Sequence, residues 1–168
     1  MKIFNFFLLI GIMLIHYSCS EMTPDLGLSA GQSKVTADLS GDISGNFSSD
    51  KLTSTTVETN GVVVIAAIKV VSPVKTRLFN INIWGNLAPG TYKIHDVTNE
   101  RLSGTFAYVE NSMDPNSLYA AGAEEDNNFT YTIAVNDGKT LEGTFNGDMF
   151  NPQGKKITVN GTFKAAYK

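Results

Sequence analysis

The side chains able to do chemistry are few, and their spacing limits what they can do. The chain has two histidines, His16 and His95. His16 falls in an apolar N-terminal run, which leaves His95-Asp96 as the place where an imidazole adjoins a carboxylate. Such a pair can exchange protons, but at the end of a strand it reads first as a solvated turn. A Ser-His-Asp triad would have to use this one histidine, and no Gly-x-Ser-x-Gly elbow is present; Gly41 to Gly45 holds Ser44 at the wrong spacing. A histidine-rich zinc site cannot be built. Glu124, Glu125 and Asp126, followed by two asparagines, are the one dense acidic cluster. Oxygen-rich runs suit Ca²⁺, yet the calcium-loop spacing and its glycine are missing, so these three read as a charged loop and only a weak metal candidate. No phosphate loop or dinucleotide fingerprint occurs. The expectation is a protein without a cofactor, and not an enzyme.

A binding constellation is better supported. Asn80, Asn82 and Trp84 alternate with Phe79, Ile81 and Ile83. In a strand that places two amides and an indole together on the face opposite the apolar one. Amides and an indole can hold a sugar by hydrogen bonding and stacking; equally, the indole can cap a strand end. Tyr119 lies in the middle of a long connection, Asn111 to Asn128, of the kind that carries recognition on a rigid β scaffold.

The elements that would position these residues follow from periodicity. After residue 33 no apolar stripe of helical period persists, and alternation of period two recurs instead. Val35, Ala37 and Leu39 alternate with polar residues. Asn60-Gly61 is a hairpin signal leading into Val62 to Val71, a continuous apolar run expected to be buried on both faces. Phe106 and Tyr108 alternate with Ala107 and Val109; Phe129, Tyr131, Ile133 and Val135 form a second inward set. Asn136-Asp137-Gly138 marks another hairpin. A short signature recurs: Leu102-x-Gly104-Thr105-Phe106, Leu141-x-Gly143-Thr144-Phe145 and Val159-x-Gly161-Thr162-Phe163, with Ile43 to Phe47 a near copy. Its aliphatic, glycine and phenylalanine positions share one side of a strand, where the glycine allows close approach and a neighbouring ring can cover it. The fold expected is all-β: a single antiparallel sandwich or meander barrel of about nine or ten strands.

Composition bounds the rest. At 168 residues, with 17% charged residues and a net charge of −3, the chain suits one domain and excludes a basic nucleic-acid-binding surface. Lys2 precedes an apolar stretch, Ile3 to Ile15, too short for the roughly 20 residues that span a bilayer. That is the pattern of a secretory signal peptide. It ends in Leu14-Ile15-His16-Tyr17-Ser18 before Cys19, the one cysteine. The expected organisation is a signal peptide over 1–18, a lipidated Cys19 with a flexible stalk over 19–33, and a β domain over 34–168. Cleavage after Ser20 instead would discard Cys19 and give a soluble secreted chain. A domain exported to an oxidising space without a further cysteine must rely on its core, and two acyl chains on one cysteine anchor stably.

The segment before Cys19 resembles a bacterial lipobox, with His16 where the usual pattern has leucine. Together with the strand near Val35, Pro89-Gly90-Thr91-Tyr92, the hairpin at Asn136-Asp137-Gly138 and the closing Gly161-Thr162-Phe163 strand, it is similar to a group of uncharacterised Bacteroidetes-type cell-envelope lipoproteins. The resemblance implies a β-rich lipoprotein held to the membrane through Cys19, with the outer membrane expected, and it supplies no catalytic residues to carry over. The function expected is a non-enzymatic binding or structural module, with a glycan, a peptide or an envelope protein as partner; the alternative is a lipocalin-like carrier of a small apolar ligand.

Overall fold

The computed structural model describes residues 33–49, 54–84, 86–94, 104–122 and 128–167. Cys19, His95, Asp96 and the Glu124, Glu125, Asp126 cluster lie outside them. The described elements are β1 (Ser33–Gly41), β2 (Gly45–Ser48), β3 (Thr55–Thr59), β4 (Val62–Ser72), β5 (Lys75–Trp84), β6 (Gly90–Lys93), β7 (Gly104–Val109), β8 (Leu118–Ala120), β9 (Thr130–Asn136), β10 (Thr140–Phe150) and β11 (Lys156–Ala166). One turn of 3-10 helix, Pro115–Ser117, precedes β8, capped by the Asp114 side chain. The described residues form eleven strands where about nine or ten are expected; β2 and β8, four and three residues long, are too short to show alternation.

All pairings are antiparallel and join the strands in one sheet, in the order β2-β1-β11-β10-β8-β7-β5-β4-β3, with β9 and then β6 branching from β10. The sheet does not close into a barrel. It forks at β10: Leu141 to Asn146 pair with β9, whereas Phe150 pairs with Ala120 of β8. The change of partner comes just past Gly147, whose φ of 147° and whose contact with the Phe129 backbone exclude a side chain. From this corner the sheet folds over, so that β8, β7, β5, β4 and β3 face the β2-β1-β11-β10-β9-β6 half as in a sandwich.

The two inner faces meet through rings. Phe47 of β2 lies 5.0 Å from Phe79 of β5. Phe106 of β7 stands 5.2 Å from Tyr131 of β9 and 5.5 Å from Phe145 of β10. Together with Val35, Ile65, Ile81, Ile83, Val159 and Phe163 these rings form one buried cluster. Offset and edge-to-face pairs at such separations add about 0.5–1.5 kcal/mol each beyond burial. The rims close with hydroxyls: Ser33 meets Thr56 of β3, and the Ser49 hydroxyl accepts from the Val35 amide at 3.0 Å. Ser33 therefore belongs to β1, paired with Ala165, and not to the preceding stalk.

The glycine signature is a packing device across β10 and β11. Gly143 pairs with Phe163 and Phe145 with Gly161. A Cβ on Gly143 would meet the Phe163 ring at 2.6 Å, and one on Gly161 the Phe145 ring at 2.3 Å. Each ring thus lies over the glycine opposite it, which lets two phenylalanines share a narrow strip of sheet. Gly104 is covered differently: it pairs with Ile83, and the ring over it is Tyr131 of β9.

Three expectations need correction. The Val62 to Val71 run is fully buried on one side alone: Val63, Ile65 and Ala67 are inside, the residues between them are partly exposed, and Val70 and Val71 are exposed. Val135 points outward, because a bulge inserts Ala134 between the Gly143–Ile133 and Glu142–Val135 pairs and reverses the alternation. Tyr119 is not on an open loop. It is a strand residue of β8, 2% exposed and paired with Tyr108.

Candidate functional site

Asn80, Asn82 and Trp84 stand on the outer face of β5, as alternation predicts, because Phe79, Ile81 and Ile83 take the inner one. The Asn82 amide NH₂ donates to Asn80 Oδ1 at 2.9 Å and to Thr105 Oγ1 on β7 at 2.7 Å. Its carbonyl, Asn82 Oδ1, is buried without a partner. A buried acceptor left unpaired costs about 1–3 kcal/mol, so this atom marks a place where a donor is wanted. Trp84 is 41% exposed.

The surroundings of this trio are aliphatic. Val64 stands opposite Asn82, Ala66 opposite Asn80, Ile68 opposite Leu78 and Val62 opposite Trp84. Val57 of β3 continues the row beyond Val64. None of the outward positions on β3, β4, β5, β7 and β8 carries a charge. The other half of the sheet is the opposite in character. Its outer face carries Lys34, Asp38, Glu142, Lys156 and Lys164, and a row of hydroxyls runs from Thr91 through Thr132, Thr144, Thr162 and Thr36 to Ser48. Those hydroxyls bond one another, Thr36 to Thr162 at 2.8 Å and Thr91 to Thr132 at 2.9 Å. A shallow, open depression of about 420 Å³ lies on this polar face, lined by Thr36, Thr144, Thr162, Glu142 and Lys164 among others.

Two polar clusters that periodicity does not reveal sit at the rim of the inner face. Glu110 follows β7 and receives Lys75 Nζ at 2.6 Å and Arg77 Nη2 at 2.8 Å, together with the Tyr108 hydroxyl. Arg77 is on the inward side of β5, below Phe79, and this carboxylate is what it meets. Burial pulls the Glu110 carboxyl upward, but the donors from Lys75, Tyr108 and Arg77 outweigh it and hold the group below its ordinary range. Tyr108 is pushed well above its ordinary value, by burial first and then by the Glu110 carboxylate. Across the same end, the Tyr119 hydroxyl donates to Asp42, which also pairs with Lys155 at 3.4 Å. The hydroxyl bond from Tyr119 lowers the Asp42 carboxyl, and burial with that carboxylate raises Tyr119. The Tyr119 side chain is therefore committed to the core and to Asp42. Among the described residues no group of three His, Cys, Asp or Glu side chains is gathered to hold a metal ion.

The carboxylates with perturbed titration are held ionised. Burial raises Asp148, but bonds from Thr158 and Lys156 lower it further than burial lifts it, and two backbone amides lower Asp137 in its hairpin. A general acid for hydrolysis needs a raised carboxyl; these are paired and lowered. The chain is thus an all-β, sandwich-like domain with one polar and one apolar outer face. No family model, curated protein or solved structure matches it.

Proposed function

We propose that this is a cell-envelope lipoprotein, tethered through Cys19, whose folded domain is a non-enzymatic binding and structural module. The observation that carries the tether is the short apolar run ending at the single cysteine. A domain held together by ring packing without a disulfide agrees with it, since an exported thiol left over from folding would be a liability unless it carries lipid. The apolar outer face around Asn80, Asn82 and Trp84 favours a protein surface as partner over a glycan. The Asn82 NH₂ is already spent on Asn80 and Thr105, and the residue paired with Trp84 across β4 is Val62. The carrier alternative asks for a hollow barrel; an open sheet with rings filling its interior does not favour it.

Mass spectrometry of the mature N-terminus tests the tether. A diacylglyceryl group on Cys19 is the expected result, and Cys19→Ser should release the protein from the membrane fraction. A lipid-free chain beginning at Glu21 overturns it.

A further inference from the structure

The large apolar side chains that reach furthest into water gather at one end of the sheet. Among the described residues Met113, 78% exposed, and Val74, 77% exposed, lead the exposed hydrophobics, and Val71 is 48% exposed. They come from two segments. Val71 and Val74 flank Ser72-Pro73 in the turn from β4 to β5. Met113 follows β7, and the Ser112 amide beside it donates to the Thr76 carbonyl at 3.1 Å, which carries that segment to the same turn. The turn projects. β3 stops pairing with β4 at Ala66 and β7 stops pairing with β5 at Leu78, while β4 and β5 stay paired out to Ser72 and Lys75. Ala66 to Ser72 is a length of about 20 Å at about 3.4 Å per residue. The register shifts between Val70 and Ser72, so Val71 is an extra residue on its strand and leaves the alternation.

We propose that this turn is a membrane-contact site, which dips Val71, Val74 and Met113 into the apolar edge of an anionic lipid surface. Shape favours a bilayer over a protein groove. A narrow convex tip has little area to bury against a protein, where a standard interface takes about 800 Å² a side, whereas a fluid lipid surface closes around it. Charge favours it as well. Between Glu58 and Asp96 the chain has no acidic residue, although its net charge is −3, and that stretch puts Lys69, Lys75 and Arg77 on the hairpin. Lys69 pairs with Arg77 across the strands, two residues behind Val71 and three behind Val74, or about 7–10 Å. Interfacial segments bury to about 5–10 Å, so the two cations fall at headgroup level, and their long stems lie along the apolar layer while the charges meet phosphates. Glu110 receives Lys75 and Arg77, and Asp114 caps the turn after Met113; the three cations of the hairpin exceed these two acids. The tether also reaches. Ser33 bonds Thr56, whose partner Ile65 lies six residues from Val71 along β4, about 20 Å, and the chain from Cys19 to Ser33 can extend to about 45 Å. One bilayer can therefore take both the acyl chains and the tip.

This site goes beyond the proposed tether and stands without it. The full chain is expressed with export, so that Cys19 is either acylated or cleaved away and an introduced cysteine is the one free thiol. Val74→Cys, carrying an environment-sensitive nitrobenzoxadiazole label, is mixed with vesicles of phosphatidylcholine and phosphatidylglycerol at about 2:1. Its emission should rise and shift to the blue, and a spin-labelled lipid should quench it. Met113→Cys probes the other segment, and serves alone should the first fail to fold. Lys139→Cys, in the hairpin between β9 and β10, is the control and should stay water-like. On phosphatidylcholine alone the response at 74 and 113 should weaken about threefold or more, since the cations lose their counterpart. Adding Val74→Asp to Met113→Cys should lower it about tenfold or more by placing a charge in the apolar layer; an unchanged circular dichroism spectrum would show that the fold persists. Labels at 74 and 113 that stay as water-like as the one at 139 overturn the inference, as does a blue shift that needs no vesicles. A lipid-free chain that gives the response would remove the tether and leave the site standing; an acylated chain with a water-like tip would do the reverse.

Discussion

The reciprocal glycine–phenylalanine pairs make a sharp prediction at Gly161. A methyl group there would lie 2.3 Å from Phe145 Cζ and 2.5 Å from the Thr36 carbonyl oxygen. Neither neighbour can easily yield. The Phe145 ring is wedged against Phe79 and Phe106, each 5.5 Å away, and Thr36 is fixed by its pairing with Thr162. Overpacking of this kind costs about 1–3 kcal/mol, and the lost backbone freedom of the unfolded glycine returns about 0.5–1 kcal/mol. With both neighbours fixed, the overpacking falls at the upper end of that range, so Gly161→Ala should destabilise by about 2 kcal/mol net, or about 6–8 °C in Tm for a domain of this size. Urea unfolding followed by circular dichroism measures it. Phe145→Leu alone should cost about 1.5–2 kcal/mol. The double variant should cost about 1 kcal/mol less than the sum, because the shorter side chain makes room for the methyl. Gly154→Ala is the control: its site is open, with φ of 75°, so it carries only the left-handed penalty of about 1–2 kcal/mol, less the same return of about 0.5–1 kcal/mol. Gly161→Ala no worse than Gly154→Ala, or strict additivity with Phe145→Leu, would refute the ring-over-glycine reasoning.

Acid should weaken the fold. Asp42, Glu110, Asp137 and Asp148 are all lowered in the folded chain, so the unfolded chain binds protons first; stability is full above about pH 5 and falls as pH drops through about 4, as equilibrium unfolding at stepped pH would record. Glu110→Gln should cost about 1–2 kcal/mol near neutrality, since it leaves Lys75 and Arg77 facing a neutral amide at a partly screened rim, and should flatten part of that acid slope. In base the sign reverses: Tyr108 and Tyr119 are raised, so their contribution is complete below about pH 10 and is lost above it. The native phenolate absorbance titration of Tyr108→Phe should accordingly match that of the parent chain up to about pH 11, and a missing step there would show Tyr108 to be freely titrating. Asn82→Leu should leave the fold as stable as before or more so, because it removes the unpaired buried carbonyl; a loss above about 2 kcal/mol by chemical denaturation would show that the Asn82 bonds to Asn80 and Thr105 matter more than its orphaned acceptor.

Periodicity made the inner face legible. Phe79, Ile81 and Ile83, and Phe129, Tyr131 and Ile133, are inside where alternation puts them, because a buried face tolerates no slip of register. The turns at Asn60-Gly61 were legible too, since a φ of 51° at Asn60 followed by 76° at Gly61 is what that dipeptide accommodates. Val135 was not: a bulge adds a residue to one strand without changing its composition. Nor was Tyr119, because a three-residue strand such as β8 shows no period. The Glu110 cluster was half visible. Arg77 falls in the inward phase of β5 and Glu110 just past the end of β7, but only the pairing of β5 with β7 brings them together. The trio Asn80, Asn82 and Trp84 was found by alternation, and its aliphatic setting was hidden by the same rule, since Val62 to Val71 reads as a strand buried twice over.

A run of valine, isoleucine and alanine on β4 is what a strand covered on both faces looks like, and in this chain the inner cover is the ring cluster while the outer side chains, Val62, Val64, Ala66 and Ile68, remain partly open to water. The opposite half shows that an outer face of this sheet can be made polar, with threonine, asparagine and lysine at equivalent positions of β1, β10 and β11. The same fold thus presents both solutions side by side. Where water is the final neighbour the outward positions are hydroxyls, amides and charges; on β3, β4 and β5 they are mostly methyls, with a pair of amides at the centre. The second pattern is that of an interior, carried by side chains that stay partly open to water.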